Sequence, residues 1–180
     1  MNVFAIIKIA LIAAVLVCAL IGAFGATYKA KNGGDAHFFL YKTVVAGKTT
    51  YFIDLDPSCK DSLHMANSAL AFAIIGWIAA LAGVAVAALS LFKPILPSIV
   101  GVILSAVCAV ALTVSWPIAA ALYNQEVCGS KVKDSWKYDY GFAFLIISWI
   151  LSLGWVAFEV LGMLGLIPGG APATSSTSAV

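Results

Sequence analysis

Lys8 and Glu159 are the two ionisable side chains that fall well inside long apolar runs of this 180-residue chain. An amine and a carboxylate in such surroundings either pair with one another or reach for the nearest water, because an unpaired charge at the centre of a lipid span costs at least about 2.5 kcal/mol. A proton or ion relay would need further Asp, Glu or His at mid-run. Only the hydroxyls of Ser105, Thr113, Ser115, Ser148 and Ser152 are there, and hydroxyls in helices usually bond to their own backbone. Asp54-Leu-Asp56 offers two carboxylates to a divalent cation, but without further ligands it reads as a solvated turn before Pro57. His37 and His64 stand alone, without metal-ligand spacing. No Gly-rich phosphate loop, nucleophile elbow or metalloprotease motif is present. Neither an enzyme nor a cofactor site is expected.

The elements that must position these groups are four apolar runs, residues 3–26, 66–92, 95–123 and 141–167. Each exceeds the roughly 20 residues a helix needs to cross the hydrocarbon core. With no water there to satisfy backbone N–H and C=O groups, such runs must be helical. Composition agrees: 63% of residues are hydrophobic and 10% charged, and mean hydropathy is +1.05. A net charge of +2 and the absence of arginine exclude a nucleic-acid partner, which would call for bidentate base and phosphate readers. The expected fold is an all-α membrane protein, a four-transmembrane-helix bundle over residues 1–167 with a small β-containing cap. Its principal partner is the lipid bilayer.

Lys8 followed by an apolar stretch ending in Ala23-Phe24-Gly25-Ala26 has features of a secretory signal, but the stretch is longer than an ordinary signal core of 7–15 residues. It reads as an uncleaved span. An even number of spans puts both termini on one side and the long connections, residues 27–65 and 124–140, on the other. Antiparallel parity then brings Lys8 and Glu159 to similar depth near one face, where a contact would clip the first helix to the last. Lys8 snorkelling to headgroups, with Glu159 wet or protonated, is the alternative. Residues 168–180, with Pro168, Pro172 and a Ser/Thr run, read as a disordered tail. Its final Ser178-Ala179-Val180 fits a short pattern that PDZ domains capture.

Within the first long connection, residues 38–45 and 48–53 are rich in aromatic and β-branched side chains and are separated by Ala46-Gly47, which signals a β-hairpin. Trp136, Tyr138, Tyr140 and Tyr123 gather at the ends of the last two spans. They read first as an interfacial aromatic belt and second as a partner-binding patch. Small residues repeat at spacing four in the second span, Gly76/Ala80/Ala88 and Ala79/Gly83/Ala87. Such ladders let helices approach closely within the bundle, with self-association as the other use. Pro117 is expected to kink the third span.

Sidedness is argued both ways. Lys29, Lys31, Lys42, Lys48, Lys60, Lys131, Lys133 and Lys137 all lie in the long connections, which the positive-inside rule assigns to the cytoplasm. Cys59 and Cys128 lie one in each long connection and therefore on the same side. They are either a pair in an oxidising compartment or two free thiols. Cys18 and Cys108 sit in helix interiors as small apolar residues.

The segment Val127-Cys128 through Lys133-Asp134-Ser135-Trp136-Lys137-Tyr138-Asp139-Tyr140-Gly141-Phe142-Ala143-Phe144 resembles the amastins, the four-span surface glycoproteins of trypanosomatids. In that family a Cys, a Lys-Asp-Ser followed by an aromatic and a basic residue, and a Tyr/Gly/Phe-Ala cluster lead into the last helix. Ala69-Leu70-Ala71-Phe72-Ala73 and Val114-Ser115-Trp116 through Tyr123 resemble the family less specifically. The first long connection departs from it. His37 to Thr43 stands where the family carries a Leu-Trp-Gly-like centre bracketed by cysteines, with Tyr41 at the Trp position and no bracketing Cys. No Asn-x-Ser/Thr sequon is present for N-linked sugar. The layout is distantly similar to claudins.

The resemblance implies a multi-pass plasma-membrane protein with cytoplasmic termini and outward loops. It implies a non-catalytic role in cell-surface organisation or protection and in contact with host or neighbouring membranes. The alternative is a small transporter or permeability component. With the loops outward, a Cys59–Cys128 disulfide is expected to tie the two long connections together.

Overall fold

In the computed structural model, residues 3–31, 35–51, 60–92, 98–127 and 130–166 are described. Four long helices dominate: α1 (Val3–Phe24), α2 (Lys60–Phe92), α3 (Ser98–Asn124) and α5 (Tyr140–Met163). Each contains a stretch long and apolar enough to cross a membrane. Every helix packs on two neighbours, α1 on α2 and α5, and α3 on α2 and α5, which closes a four-membered ring. Ile75, Ile78, Ile103, Val110 and Ile150 point outward and are exposed, as side chains do when the surrounding solvent is lipid.

The spans differ from the sequence expectation at their ends. Helix α1 stops at Phe24 and not Ala26, and the amide of Gly25 donates to the carbonyl of Ile21. The second helix starts at Lys60, several residues before the apolar run, because polar residues outside lipid can extend a helix already nucleated within it. The last ends at Met163 and not Ile167. There Gly165 takes a φ of +70° and the amides of Leu164, Gly165 and Leu166 return to carbonyls of the final turn, the usual satisfaction of orphan C-terminal carbonyls. The tail beyond lies outside the described residues.

Small residues on α2 admit large side chains from across the ring. A β-carbon on Gly76 would meet Leu112 at 3.0 Å, and one on Gly83 would run into the indole of Trp155. The spacing-four ladder thus serves packing within the bundle. The core continues in three tiers toward the cap. Ile12, Val15, Cys108, Leu112 and Trp155 form the middle. Ala23, Ala69, Ala73, Ala119 and Leu145 come next, with Leu40 of the cap inserted among them. Tyr28, Phe38, Ala66, Leu122 and Val132 form the last.

The cap is a five-stranded antiparallel sheet in the order β4-β3-β2-β1-β7. Its strands are β1 (Tyr28–Ala30), β2 (Ala36–Phe38), β3 (Lys42–Val45), β4 (Lys48–Tyr51) and β7 (Trp136–Tyr138). A two-stranded ribbon, β5 (Glu126–Val127) with β6 (Ser130–Lys131), and a one-turn helix, α4 (Val132–Ser135), precede β7. The hairpin read from the sequence is β3–β4, turning at Ala46-Gly47 with φ values of +48° and +78°. Positive φ at both central residues matches the right-handed twist of the strands. The strand β7 comes from the other long connection. It reaches β1 because α1 and α5, which lead directly into β1 and out of β7, already lie side by side.

Register sorts the cap into two faces, since residues directly opposite one another point the same way. Tyr138, Tyr28, Phe38, Thr43 and Thr50 form one row. Its β1 and β2 members, Tyr28 and Phe38, are buried against the helix ends. Lys137, Lys29, His37, Val44 and Thr49 form the opposite row, facing away from that core.

Candidate functional site

Two clusters gather the side chains with chemical potential. The first lies within the spans. Lys8 on α1 places its Nζ 2.8 Å from both carboxylate oxygens of Glu159 on α5. Trp155, one turn earlier on the same helix, donates its indole N–H to Glu159 Oε1 at 2.9 Å. The third wall is Gly101 of α3, where a β-carbon would sit 2.8 Å from the carboxylate. Glu159 is 6% exposed and Lys8 28%, so the amine keeps access to the rim while the carboxylate is enclosed. Three helices are thereby brought into one register. Trp155 is not among the residues that the sequence singles out; its i, i+4 spacing to Glu159 is the signal that points to it.

The hydroxyls of the bundle are satisfied by hydrogen bonds, whereas the buried indole N–H groups of Trp77 and Trp116 have no partner. Ser105, Thr113, Ser148 and Ser152 donate to carbonyls three or four residues back on their own helices. Ser115 crosses from α3 to the Ala69 carbonyl of α2 at 2.8 Å, and the Trp149 indole donates to Thr113 at 2.8 Å. A groove of about 330 Å³ between α2 and α3 is lined by Phe72, Ile75, Ala106, Val107, Val110 and Ala111, all apolar. None of these arrangements presents a row of free polar groups to a solute.

The second cluster joins cap to bundle. Tyr28 is fully buried and its hydroxyl donates to the Ala119 carbonyl of α3. Its ring lies 5.4 Å from Phe38, 5.8 Å from Tyr123 and 5.8 Å from Tyr138. Tyr138 stacks at 4.2 Å on both Tyr123 and Phe142. Burial pushes the phenols of Tyr28 and Tyr138 above the ordinary tyrosine range, with neighbouring phenols adding to the effect. Tyr123 and Tyr138 form a stack between strand and helices, and Tyr138 and Tyr140 are both exposed. Tyr28 escapes notice in the sequence because a lone tyrosine after a span carries no periodic signal.

The Lys133–Phe142 segment supplies the other side of this joint. Lys31 donates its ammonium to the Lys133 carbonyl and its amide to the Ser135 carbonyl, which docks α4 on the end of β1. Asp134 is exposed on α4. Trp136 packs edge-on to Phe38 at 6.0 Å, and its carbonyl accepts from the Tyr123 hydroxyl at 3.1 Å. Lys137 stands opposite Lys29. Asp139 caps α5 by accepting the Tyr140 amide at 2.8 Å and holds His37 Nδ1 at 3.1 Å. The Gly141 amide donates to the Ala26 carbonyl at 2.8 Å. A β-carbon at Gly141 would fall 2.7 Å from that same oxygen, so only glycine permits the approach.

His37 is thus a hydrogen-bond partner of Asp139, and among the described residues no group of three or more His, Cys, Asp or Glu side chains is placed to hold a metal. Asp54, Asp56, Cys59 and Cys128 lie outside the described residues, and so does the expected Cys59–Cys128 pairing. Cys18 and Cys108 are unpaired within α1 and α3. Comparison with curated proteins gives no match. The family model for the amastin surface glycoprotein matches residues 14–158, from the middle of α1 through the whole cap to the last turns of α5, and the chain belongs to that family.

Proposed function

We propose that this amastin-family protein is a non-catalytic structural component of the surface membrane, organising or protecting the cell surface and contacting a host or neighbouring membrane through its cap. One observation carries the reading. The strand from the second connection completes the sheet of the first, and the Tyr28–Tyr123–Tyr138–Phe142 stack fixes that sheet to the helix ends. The result is a platform continuous with the bundle, while the bundle's hydroxyls are taken up by backbone carbonyls and the Glu159 carboxylate by Lys8 and Trp155. A permeation path would require the reverse, polar groups left free along the interior.

In this reading the cap faces outward, the termini are cytoplasmic, and Cys59 and Cys128 are disulfide-bonded. Thiol labelling on intact cells before and after reduction tests that arrangement. Labelling only after reduction is the expected result, and labelling only after permeabilisation would reverse the orientation. The role itself is tested by substituting the outward row of the sheet, Val44→Asp and Thr49→Asp, beside Ser105→Ala, Ser148→Ala and Ser152→Ala in the bundle. Cell-to-surface contact should fall with the first set only. Solute flux through the reconstituted protein that drops with the serine set would overturn the reading.

A further inference from the structure

Lys29 and Lys137 are direct cross-strand partners on β1 and β7. Their β-carbons are therefore about 5 Å apart on the same face, a like-charge arrangement that weakens a sheet. Among the described residues neither makes an ion pair. His37 flanks Lys29 on its other side. Asp139, two residues beyond Lys137, is engaged by His37 and by the Tyr140 amide. Lys31 and Lys133 add positive charge at the same corner, with the exposed Asp134 between them and β7. Two cations set opposite one another, neither in an ion pair among the described residues, are a seat for an anion with several oxygens.

The position in the fold says which anion. Lys137 precedes Tyr140, the first residue of α5, by three residues, and three extended residues span no more than about 10 Å. The polar layer on each side of the hydrocarbon core is itself about 5–8 Å deep. Phe24 at the end of α1 and Tyr140 at the start of α5 are exposed beside this corner, as aromatic side chains are at a headgroup boundary. The corner thus continues the lipid-facing surface of two adjacent spans. The charges are bunched on two strands and one helical turn, which suits a compact headgroup better than a long linear polyanion.

We propose that the Lys29–Lys137 pair holds the phosphate of an anionic phospholipid in the leaflet surrounding the cap-side ends of α1 and α5. The bound phosphate neutralises the cross-strand repulsion and draws β7 onto β1, so the lipid acts as a clasp on the joint between the two long connections. This site is independent of the surface role proposed above, and it stands whichever side of the membrane the cap faces.

The test is native mass spectrometry of the full-length protein in detergent with added phosphatidylglycerol or phosphatidylcholine, with thermal unfolding measured in parallel. The wild-type protein should retain phosphatidylglycerol selectively and be stabilised by it. K29Q/K137Q should lose that retention by about tenfold or more, while its lipid-free unfolding temperature stays level or rises, because the repulsion is gone. K48Q/K131Q removes the same charge elsewhere on the cap and should behave as wild type. Should K29Q/K137Q fail to fold, K137Q alone, on the exposed edge strand, gives the same comparison. Equal losses in both double variants would reduce the site to general charge attraction and overturn it. So would equal retention of phosphatidylcholine, or equal stabilisation by inorganic phosphate alone.

Discussion

Lys8 and Glu159 are separated by 151 positions in the chain and meet at 2.8 Å, with the Trp155 indole completing the carboxylate's contacts. Removing one partner leaves the other without its counter-charge, whereas removing both leaves a neutral seam. Lys8→Met should therefore destabilise the bundle by about 1–3 kcal/mol, less than the roughly 3–5 kcal/mol of a fully buried pair because Lys8 stands at the rim. The double variant Lys8→Met with Glu159→Gln should recover part of that loss. Unfolding in mixed detergent, followed by helical circular dichroism, measures both. Equal losses in the single and double variants would mean that the pair is not coupled.

Tyr28 sends its hydroxyl to the Ala119 carbonyl. Tyr28→Phe keeps the ring stack and removes one buried hydrogen bond, at a cost of about 1 kcal/mol. The phenol is held neutral by burial, above its ordinary value of about 10. Its stabilising contribution is complete below that ordinary value and is lost as pH climbs through it toward the raised one. Wild-type stability should fall on the alkaline side, and Tyr28→Phe should flatten that decline. Thermal unfolding as a function of pH reports it.

Gly141 and Gly154 lie on the same helix and should respond oppositely to alanine. At Gly141 the added methyl group meets the Ala26 carbonyl oxygen at 2.7 Å and the Gly25 backbone at 2.9 Å. Two backbones would have to part, at a cost of about 2–3 kcal/mol. At Gly154 nothing lies within 4 Å, so alanine should be neutral or favourable by about 0.5–1 kcal/mol through helix propensity. Paired unfolding curves decide the matter.

Ala46 holds a φ of +48° at the first turn position of the β3–β4 hairpin. The left-handed region costs an L-residue with a β-carbon roughly 1 kcal/mol. Ala46→Asn or Ala46→Gly should tighten the hairpin by about 0.5 kcal/mol. Slower amide exchange at Val45 and Lys48 is the expected readout.

Much of this architecture is decided by local chemistry that a sequence displays directly. Runs of some twenty or more apolar residues must be helices in lipid, and four helices of the protein are long and apolar enough to span. The β3–β4 hairpin follows from Ala46-Gly47 between β-prone segments. Parity alone places Lys8 and Glu159 at one depth. The joint between cap and bundle is different, because it depends on which spans become neighbours. Tyr28, Leu40 and Trp155 have ordinary sequence surroundings and acquire their roles only when α1 and α5 pack side by side. That packing delivers β1 to β7, stacks Tyr28 with Tyr123 and Tyr138, and sets Lys29 against Lys137. Lipid fixes each span separately through its hydrocarbon length. The choice of neighbour rests on side-chain shape across the ring, Gly83 against Trp155 and Gly141 against Ala26, and that complementarity exists only in three dimensions.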